Sequence, residues 1–402
     1  MKTVLFLGAG RHQRAAIRRA AALGLRVAAI DGNPDAVAFP DADIAEAVNF
    51  VEIPKAIEFA QRVQPDGVLT ITSDRAVVAV ASVAEALGLP GIGVDVAVGL
   101  TNKVVMRRRL EAAGIPQPRF SSASTLEEAH DACEHVRFPL VIKPADSGGQ
   151  RGVFRLDSVD QLDELFPQSL ELSRTGEVIV EEFVEGTEMN SMAIVRDGVV
   201  THLTLSDRHR PPGPGFAVGW IHAYPAALDH DGTARAEEMI DRTAEALGLS
   251  TGIIFPQLIA HPDGRILMIE VAARIPGGQM ADLVWHAVGV DLVEVALRFA
   301  LGEEVTDELA APKFRQPVSI RFFTAQPGPL PVGKVKSPAN LARVLAAPGV
   351  VAADSYIVPG ETIRPVQRDG DRRGYVIALG DTGPDALRLS EEAAALVDVE
   401  IE

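Results

Sequence analysis

Residues 1–100 alternate short apolar runs with stretches of helical periodicity. Thr3–Leu7, Arg26–Ile30 and Gly67–Thr72 are rich in Val, Leu and Ile and end at turn residues, which predicts strands. Arg11–Leu23, Pro54–Val63 and Arg75–Leu87 place their apolar residues at helical spacing. Strand and helix in alternation predict a doubly wound parallel sheet. The texture changes near residue 100. Helix Val104–Ala113 follows Thr101-Asn-Lys103, and strand Pro139–Pro144 leads into the loop Ala145-Asp-Ser-Gly-Gly-Gln-Arg-Gly152. A helix over Val159–Phe166, a strand over Val178–Val184 and a helix over Thr233–Leu247 come next. Ser206–Gly219 is Gly/Pro-rich and basic, too irregular for a core element. The last part reads as strands Pro317–Phe323 and Tyr375–Leu379 with a helix Pro384–Leu396, an α+β cap.

Two β-forming segments, 252–260 and 265–274, flank Asp263-Gly264. An Asp-Gly pair between such runs predicts a hairpin closed by a two-residue type I′ turn. In that register Gln257 stands opposite Glu270, with Cβ atoms about 5 Å apart. The two-residue period puts Ala272 and Arg274 on the face of Glu270. Burying these polar groups without partners is costly, and Mg²⁺ with a phosphate would supply partners. A polar stripe facing solvent fits the same residues, and the hairpin alone leaves both readings open.

Composition narrows the classes. At 402 residues the chain is long enough for two or three domains with a substantial core. A formal charge of −17 argues against non-specific binding to nucleic acid or an anionic membrane. The single cysteine, Cys133, excludes an internal disulfide and a thiolate metal cluster, and its helical context reads as buried filler. No apolar run reaches the ~18 residues of a membrane span. The N-terminal run stops at Gly8 with no cleavage-site pattern after it, so a cytoplasmic protein is expected.

Gly8-Ala-Gly10 after the first strand and Asp31 at the end of the second imitate a dinucleotide fingerprint, but Gln13 stands at the third glycine position. A tight strand-to-helix turn explains the glycines equally, and an NAD-dependent oxidoreductase has no other support. Only seven of the 38 basic residues are lysine, which singles out Lys143 in its apolar strand. With Ser147-Gly-Gly-Gln-Arg-Gly152 it forms a cation beside a candidate anion nest. An edge lysine beside a flexible loop has the same sequence.

In chain order, Lys103, Lys143 with its glycine loop, Glu181-Glu182-Phe183-Val184 with Glu188, Gln257, and Glu270-Val-Ala-Ala-Arg274 resemble the ATP-grasp superfamily. Ala273-Arg-Ile-Pro-Gly-Gly278 and the run from Arg321-Phe-Phe to Gly374-Tyr-Val-Ile-Ala are similar to the L-amino acid ligases, a carboxylate–amine ligase branch. The resemblance covers nearly the whole chain. It implies an α/β and α+β ATP-grasp architecture: a Rossmann-like domain at 1–100, an ATP-grasp domain at 101–302 with a small lid subdomain at about 118–187, and an α+β cap at 303–402. It implies ATP with one or two Mg²⁺, Mn²⁺ being able to substitute. Lys103 and Lys143 would contact phosphates, and Ser147, Gly148, Gly149 and Gly152 would fold over them. Glu181 and the Glu182–Phe183–Val184 backbone would read adenine, and Glu188 the ribose hydroxyls. Gln257 and Glu270 would ligate metal, and Arg274 would stabilise the phosphoryl group in flight.

His209, Trp220, His222, Gly277, Gly278 and Arg321 are candidate substrate contacts, with Ser206–Gly219 and the glycine loop as candidate lids. The implied partners are a small-molecule carboxylate and an amine, joined through an acyl phosphate, with a homodimer as the usual assembly. Two departures from the family pattern stand out: Ala272 where many members carry a metal-ligating asparagine, and Gln257 where the first ligand is often a carboxylate. Competing readings are a carboxylase or purine-pathway formyl- or carboxy-transferring enzyme, and a non-catalytic nucleotide-binding protein. The chain has no Met-Lys-Met biotin-attachment tripeptide.

Overall fold

The computed structural model describes residues 1–212 and 218–402. Thr3–Leu7 is an interior strand of a parallel four-stranded sheet ordered Ile44–Ala47, Arg26–Asp31, Thr3–Leu7, Gly67–Leu69. Its alternate residues feed two cores, Val4 and Phe6 on one face and Leu5 and Leu7 on the other. A parallel sheet buried on both faces needs strands that are apolar throughout, and that is the pattern seen in the sequence. The glycine turn after Thr3–Leu7 is filled from within: a Cβ on Gly10 would lie 3.0 Å from the Gln13 amide oxygen. Asp31 accepts from the Ala9 and Asn33 backbone N–H groups, each at 2.9 Å. The fingerprint residues thus stabilise the turn that contains them.

An eight-stranded antiparallel sheet dominates the rest. Its order is Ile266–Ala272, Gly252–Ala260, Thr187–Arg196, Val199–His209, Ile221–Tyr224, Val318–Phe322, Gly374–Leu379, Val350–Ser355. Val318–Phe322 pairs with Ile221–Tyr224, so the sheet runs unbroken into the C-terminal segment, where helix Gly383–Ala394 packs on it. A smaller antiparallel sheet, Phe120–Ala123, Val178–Glu182, Leu140–Pro144, Phe154–Leu156, faces it. Helices Leu126–Val136 and Leu162–Glu171 back this smaller sheet and share its core with Cys133.

Two expectations need correction. Ser206–His209 is not irregular; it completes the strand Val199–His209, and Ser206, Asp207 and Arg208 are buried. Cross-strand and loop partners make this tolerable: Asp207 accepts from the Ala227 N–H at 3.0 Å, and Arg208 pairs with Glu188 on the neighbouring strand. Hydrophobic periodicity cannot reveal such partners. Residues 213–217 of the same candidate lid lie outside the described residues.

The hairpin turn is also not type I′. Gly264 N–H donates to the His261 carbonyl and His261 N–H to the Arg265 carbonyl, both at 2.9 Å, which leaves Pro262, Asp263 and Gly264 as a three-residue loop. Only Gly264 of these has positive φ, at 88°. Proline fixes a negative φ at the first turn position, which suits a type I turn closed by a left-handed glycine and forbids type I′. A bulge between Gln257 and Leu258 then absorbs the one-residue change, so Gln257 does stand opposite Glu270.

Candidate active site

A cavity of about 460 Å³ opens where the two antiparallel sheets and the parallel sheet meet. Helix Lys103–Ala112 helps to build it. Asn102 caps the helix by accepting from the Val104 and Val105 N–H groups, which fixes Lys103 at the first position and Arg107 one turn later. Lys103 Nζ donates to the Ser147 carbonyl at 2.8 Å and pairs with Glu270 Oε1 at 3.1 Å. It therefore ties the glycine loop to the hairpin. Burial alone would lower the Lys103 pKa, but Glu270, Asp74 and Glu181 outweigh it and raise it, so the side chain stays charged.

Arg107 is fully buried and donates to four acceptors, the longest bond being Nη1 to Gln117 Oε1 at 3.4 Å. Nε reaches Glu181 Oε1 at 2.7 Å, Nη1 the Met268 carbonyl at 2.8 Å, and Nη2 the Ile269 carbonyl at 2.7 Å. The last two lie at the hairpin bulge, so one guanidinium both holds the register and anchors Glu181. Glu181 in turn accepts from Lys143 Nζ at 2.5 Å. Burial pushes the Glu181 carboxyl up, but the Arg107 and Lys143 charges overcome it and bring its pKa to about 2. Two cations around one buried anion leave a net positive charge beside the glycine loop.

On the hairpin, Gln257 Nε2 donates to Asn190 Oδ1 at 3.1 Å, and the Asn190 amide is 3.1 Å from His222 Nδ1. With its nitrogen so engaged, the Gln257 carbonyl oxygen is the atom left for a cation. Glu270 supplies the neighbouring carboxylate, and Ala272 adds no donor to the same wall. Among the described residues no three His, Cys, Asp or Glu side chains group to hold a metal. One carboxylate and one amide oxygen do fit Mg²⁺, a hard cation that takes much of its shell from substrate phosphates and water.

Arg274 Nε and Nη2 donate to Asp74 Oδ1 and Oδ2 at 2.7 and 2.5 Å, reaching the start of helix Asp74–Leu87 beside the parallel sheet. Burial would raise the Asp74 pKa, but Arg274 and Lys103 lower it, and the pair stays ionic. Ser147, Gly148, Gly149, Glu182, Phe183, Val184 and Glu188 also line the cavity, with Glu188 held by Arg208 and by Arg210 at 3.5 Å. Gly152 does not line it; its φ of 71° and a would-be Cβ 2.9 Å from Pro144 make it a turn residue.

Gly277, Gly278, His222, His12 and Arg372 also line the cavity. His222 is buried, and that burial, with Arg208 and Arg372 nearby, drives its pKa well below 6.5, leaving a neutral imidazole. Three expected substrate contacts lie away from the cavity lining. Arg321 stacks 3.9 Å over Trp220, whose indole N–H donates to Thr324 Oγ1 at 3.0 Å. Burial lowers the Arg321 pKa to about 10 against the opposing charge of Glu391. His209 ends its strand with Nε2 buried and without a hydrogen bond among the described residues. Asp74, Arg107, Asn190 and Arg372 escaped the sequence reading; Asn190 has Ser191 beside it and Glu188 two residues before it, so nothing local singles it out.

Residues 102–308, just over half of the chain, match the family model of the carbamoyl-phosphate synthase L chain ATP-binding domain. The chain belongs to this ATP-grasp family of ADP-forming ligases. Residues 321–402 of the ligase match a second model, the L-amino acid ligase C-terminal domain 2. An uncharacterised protein of Sinorhizobium fredii is 29% identical over 77% of this chain, though the match spans only 63% of that protein. A formate-dependent phosphoribosylglycinamide formyltransferase of Ignicoccus hospitalis is 26% identical over 98% of this chain and 95% of its own length. The solved L-amino acid ligase from Bacillus licheniformis shares the fold, with a TM-score of 0.85 at 21% identity, covering 100% of this chain and 99% of that one.

Proposed function

We infer that this ATP-grasp ligase joins an amino acid or amino-acid-like carboxylate to an amine through an acyl phosphate, releasing ADP and phosphate. The observation that carries this reading is the convergence of Lys103, Lys143 and Arg274 with Glu270 and Gln257 on one cavity. Phosphoryl transfer needs positioning and charge neutralisation more than covalent help from the protein. Lys143, held by buried Glu181, offers its ammonium to the phosphates. Arg274 presents the edge of its guanidinium that Asp74 leaves open. Bound with the nucleotide, Mg²⁺ or Mn²⁺ would rest on Glu270 and Gln257 and neutralise phosphate charge. Lys103 holds the glycine loop by the Ser147 carbonyl, which favours a covered site where water is kept from the acyl phosphate. The Glu182–Val184 edge and Glu188 are the adenosine contacts of this reading.

The match at residues 321–402 supports the amino-acid ligase branch. A cytoplasmic homodimer is part of the same proposal, with size measured by light scattering. The test is phosphate release from Mg-ATP with pooled amino acids: release should need both a carboxylate and an amine, and release with bicarbonate alone would contradict it. The full-length match to the Ignicoccus protein favours one second reading, formyl transfer. Formate and phosphoribosylglycinamide would then replace the amino acids as the productive pair.

A further inference from the structure

Gln13 and Thr72 have no part in the chemistry above, and Asp74 enters it only as the partner of Arg274, yet all three are joined. Gln13 stands where a dinucleotide fingerprint would have its third glycine, and it is buried at 9% exposure. Its Nε2 donates to the Ile71 carbonyl at 3.0 Å and to Thr72 Oγ1 at 2.6 Å. Thr72 has φ of 61°, a left-handed conformation that a β-branched residue rarely adopts. Its N–H donates at 2.8 Å to the carbonyl of Ile275, the residue after Arg274. Two residues on, Asp74 opens helix Asp74–Leu87 and takes both donors on one edge of Arg274. Asp74 also bounds the glycine loop, since a Cβ on Gly148 would lie 2.8 Å from Oδ2.

Backbone strain persists where its surroundings over-determine it, and such places cluster at functional sites. Here the strain has a definite consequence. With Thr72 left-handed, its N–H meets the main chain beside Arg274 while Asp74 meets the side chain. The geometry points to Gln13, Thr72 and Asp74 as a positioning relay by which the amino-terminal domain sets the plane of the Arg274 guanidinium. A bidentate carboxylate fixes a guanidinium fork that its flexible stem would otherwise leave free. Thr72 and Asp74 reach the cavity lining, but the role inferred for all three is to act through Arg274, and the inference rests on the phosphoryl-stabilising role given to Arg274 above. The glycine turn that imitates a cofactor site is, in this chain, the base of that relay.

Gln13→Met keeps the length and bulk that fill the turn and removes both donated hydrogen bonds. The relay requires kcat to fall about tenfold with KM for ATP changed less than about twofold, because orientation is lost and nucleotide contacts are kept. Asp74→Asn should fall in the same direction, and adding Gln13→Met to it should cost nothing further, since members of one relay are not additive. Additive losses, or a folded Gln13→Met with kcat within about twofold of wild type, overturn the relay. If Gln13→Met does not fold, Gln13→Glu, of the same length and also lacking the donor, takes its place. A crystal structure of the folded variant provides a readout independent of turnover. Thr72 relaxed to negative φ with Arg274 rotated off Asp74 supports the relay, and an unchanged Thr72 and ion pair refute it. A wild-type protein with no Mg-ATP turnover would refute the ligase reading instead, and the crystal structure would still decide the relay.

Discussion

Replacing Glu181 by glutamine removes one negative charge from between two buried cations. The Arg107 side chain is 0% exposed, Lys143 13% and Glu181 3%, so solvent screens little of this cluster. The Glu181 pKa falls from an ordinary 4.5 to about 2 on folding. At 1.36 kcal/mol per unit, ionised Glu181 contributes about 3 kcal/mol, in line with the ~3–5 kcal/mol measured when one partner of a buried pair is deleted. The sign follows from a depressed carboxyl: the contribution is complete above pH 4.5 and is lost as pH falls toward 2. Urea unfolding of wild type and Glu181→Gln at pH 7 and at pH 4 measures it directly. The expected result is a loss of about 3 kcal/mol at pH 7 that shrinks at pH 4, with weakened ATP binding because Lys143 loses its anchor. A cost below about 1 kcal/mol at pH 7, or a gap that widens in acid, would refute the reasoning.

Glu270→Gln should leave the fold intact and cut Mg-ATP-dependent phosphate release by about 100-fold or more, because it removes the charged metal ligand; a coupled ADP assay with a melting curve checks both. Ala272→Asn adds an oxygen donor to the cavity wall beside Glu270, so titration of phosphate release should show half-saturation at lower Mg²⁺, and an unchanged midpoint would mean the donor has no place in the shell. His222 refuses a proton that the unfolded chain accepts at 6.5, so wild-type stability should decline as pH falls below that value. His222→Gln should flatten the decline between pH 6.5 and 5.5, as read from denaturant midpoints; an identical slope would count against a buried neutral imidazole.

Much of the candidate site was legible because its polar side chains lie on regular elements with strong periodic signals. Strand Leu140–Pro144 delivers Lys143, and the two hairpin strands deliver Gln257 and Glu270 at a readable register. That register came out right through two compensating features, a three-residue loop and a bulge, and only the loop had a sequence signal, in Pro262. The bulge depends on Arg107, about 160 residues away, in an Arg-Arg-Arg run where nothing local marks the first arginine as the buried one. Asp74 was equally hidden, since an acid in the first turn of a helix is ordinary and its meaning comes from Arg274, 200 residues away in the chain. Strand Val199–His209 was missed and its end read as irregular, because Asp207 and Arg208 look like surface residues until their partners are seen. Local pattern identifies elements; long-range charge pairing does not appear in it.

The central claim, an acyl-phosphate ligase, is tested most directly by isotope transfer. Pooled amino acids with ¹⁸O-labelled carboxylates are incubated with Mg-ATP and the wild-type protein, and the released phosphate is analysed by mass spectrometry. Attack of the carboxylate on the γ-phosphorus, followed by amine attack on the acyl carbon, carries one labelled oxygen into each phosphate. Labelled phosphate formed in step with a new amide is the expected result. An amide formed beside unlabelled phosphate, or ATP bound with no phosphate released for any pool, would contradict the account.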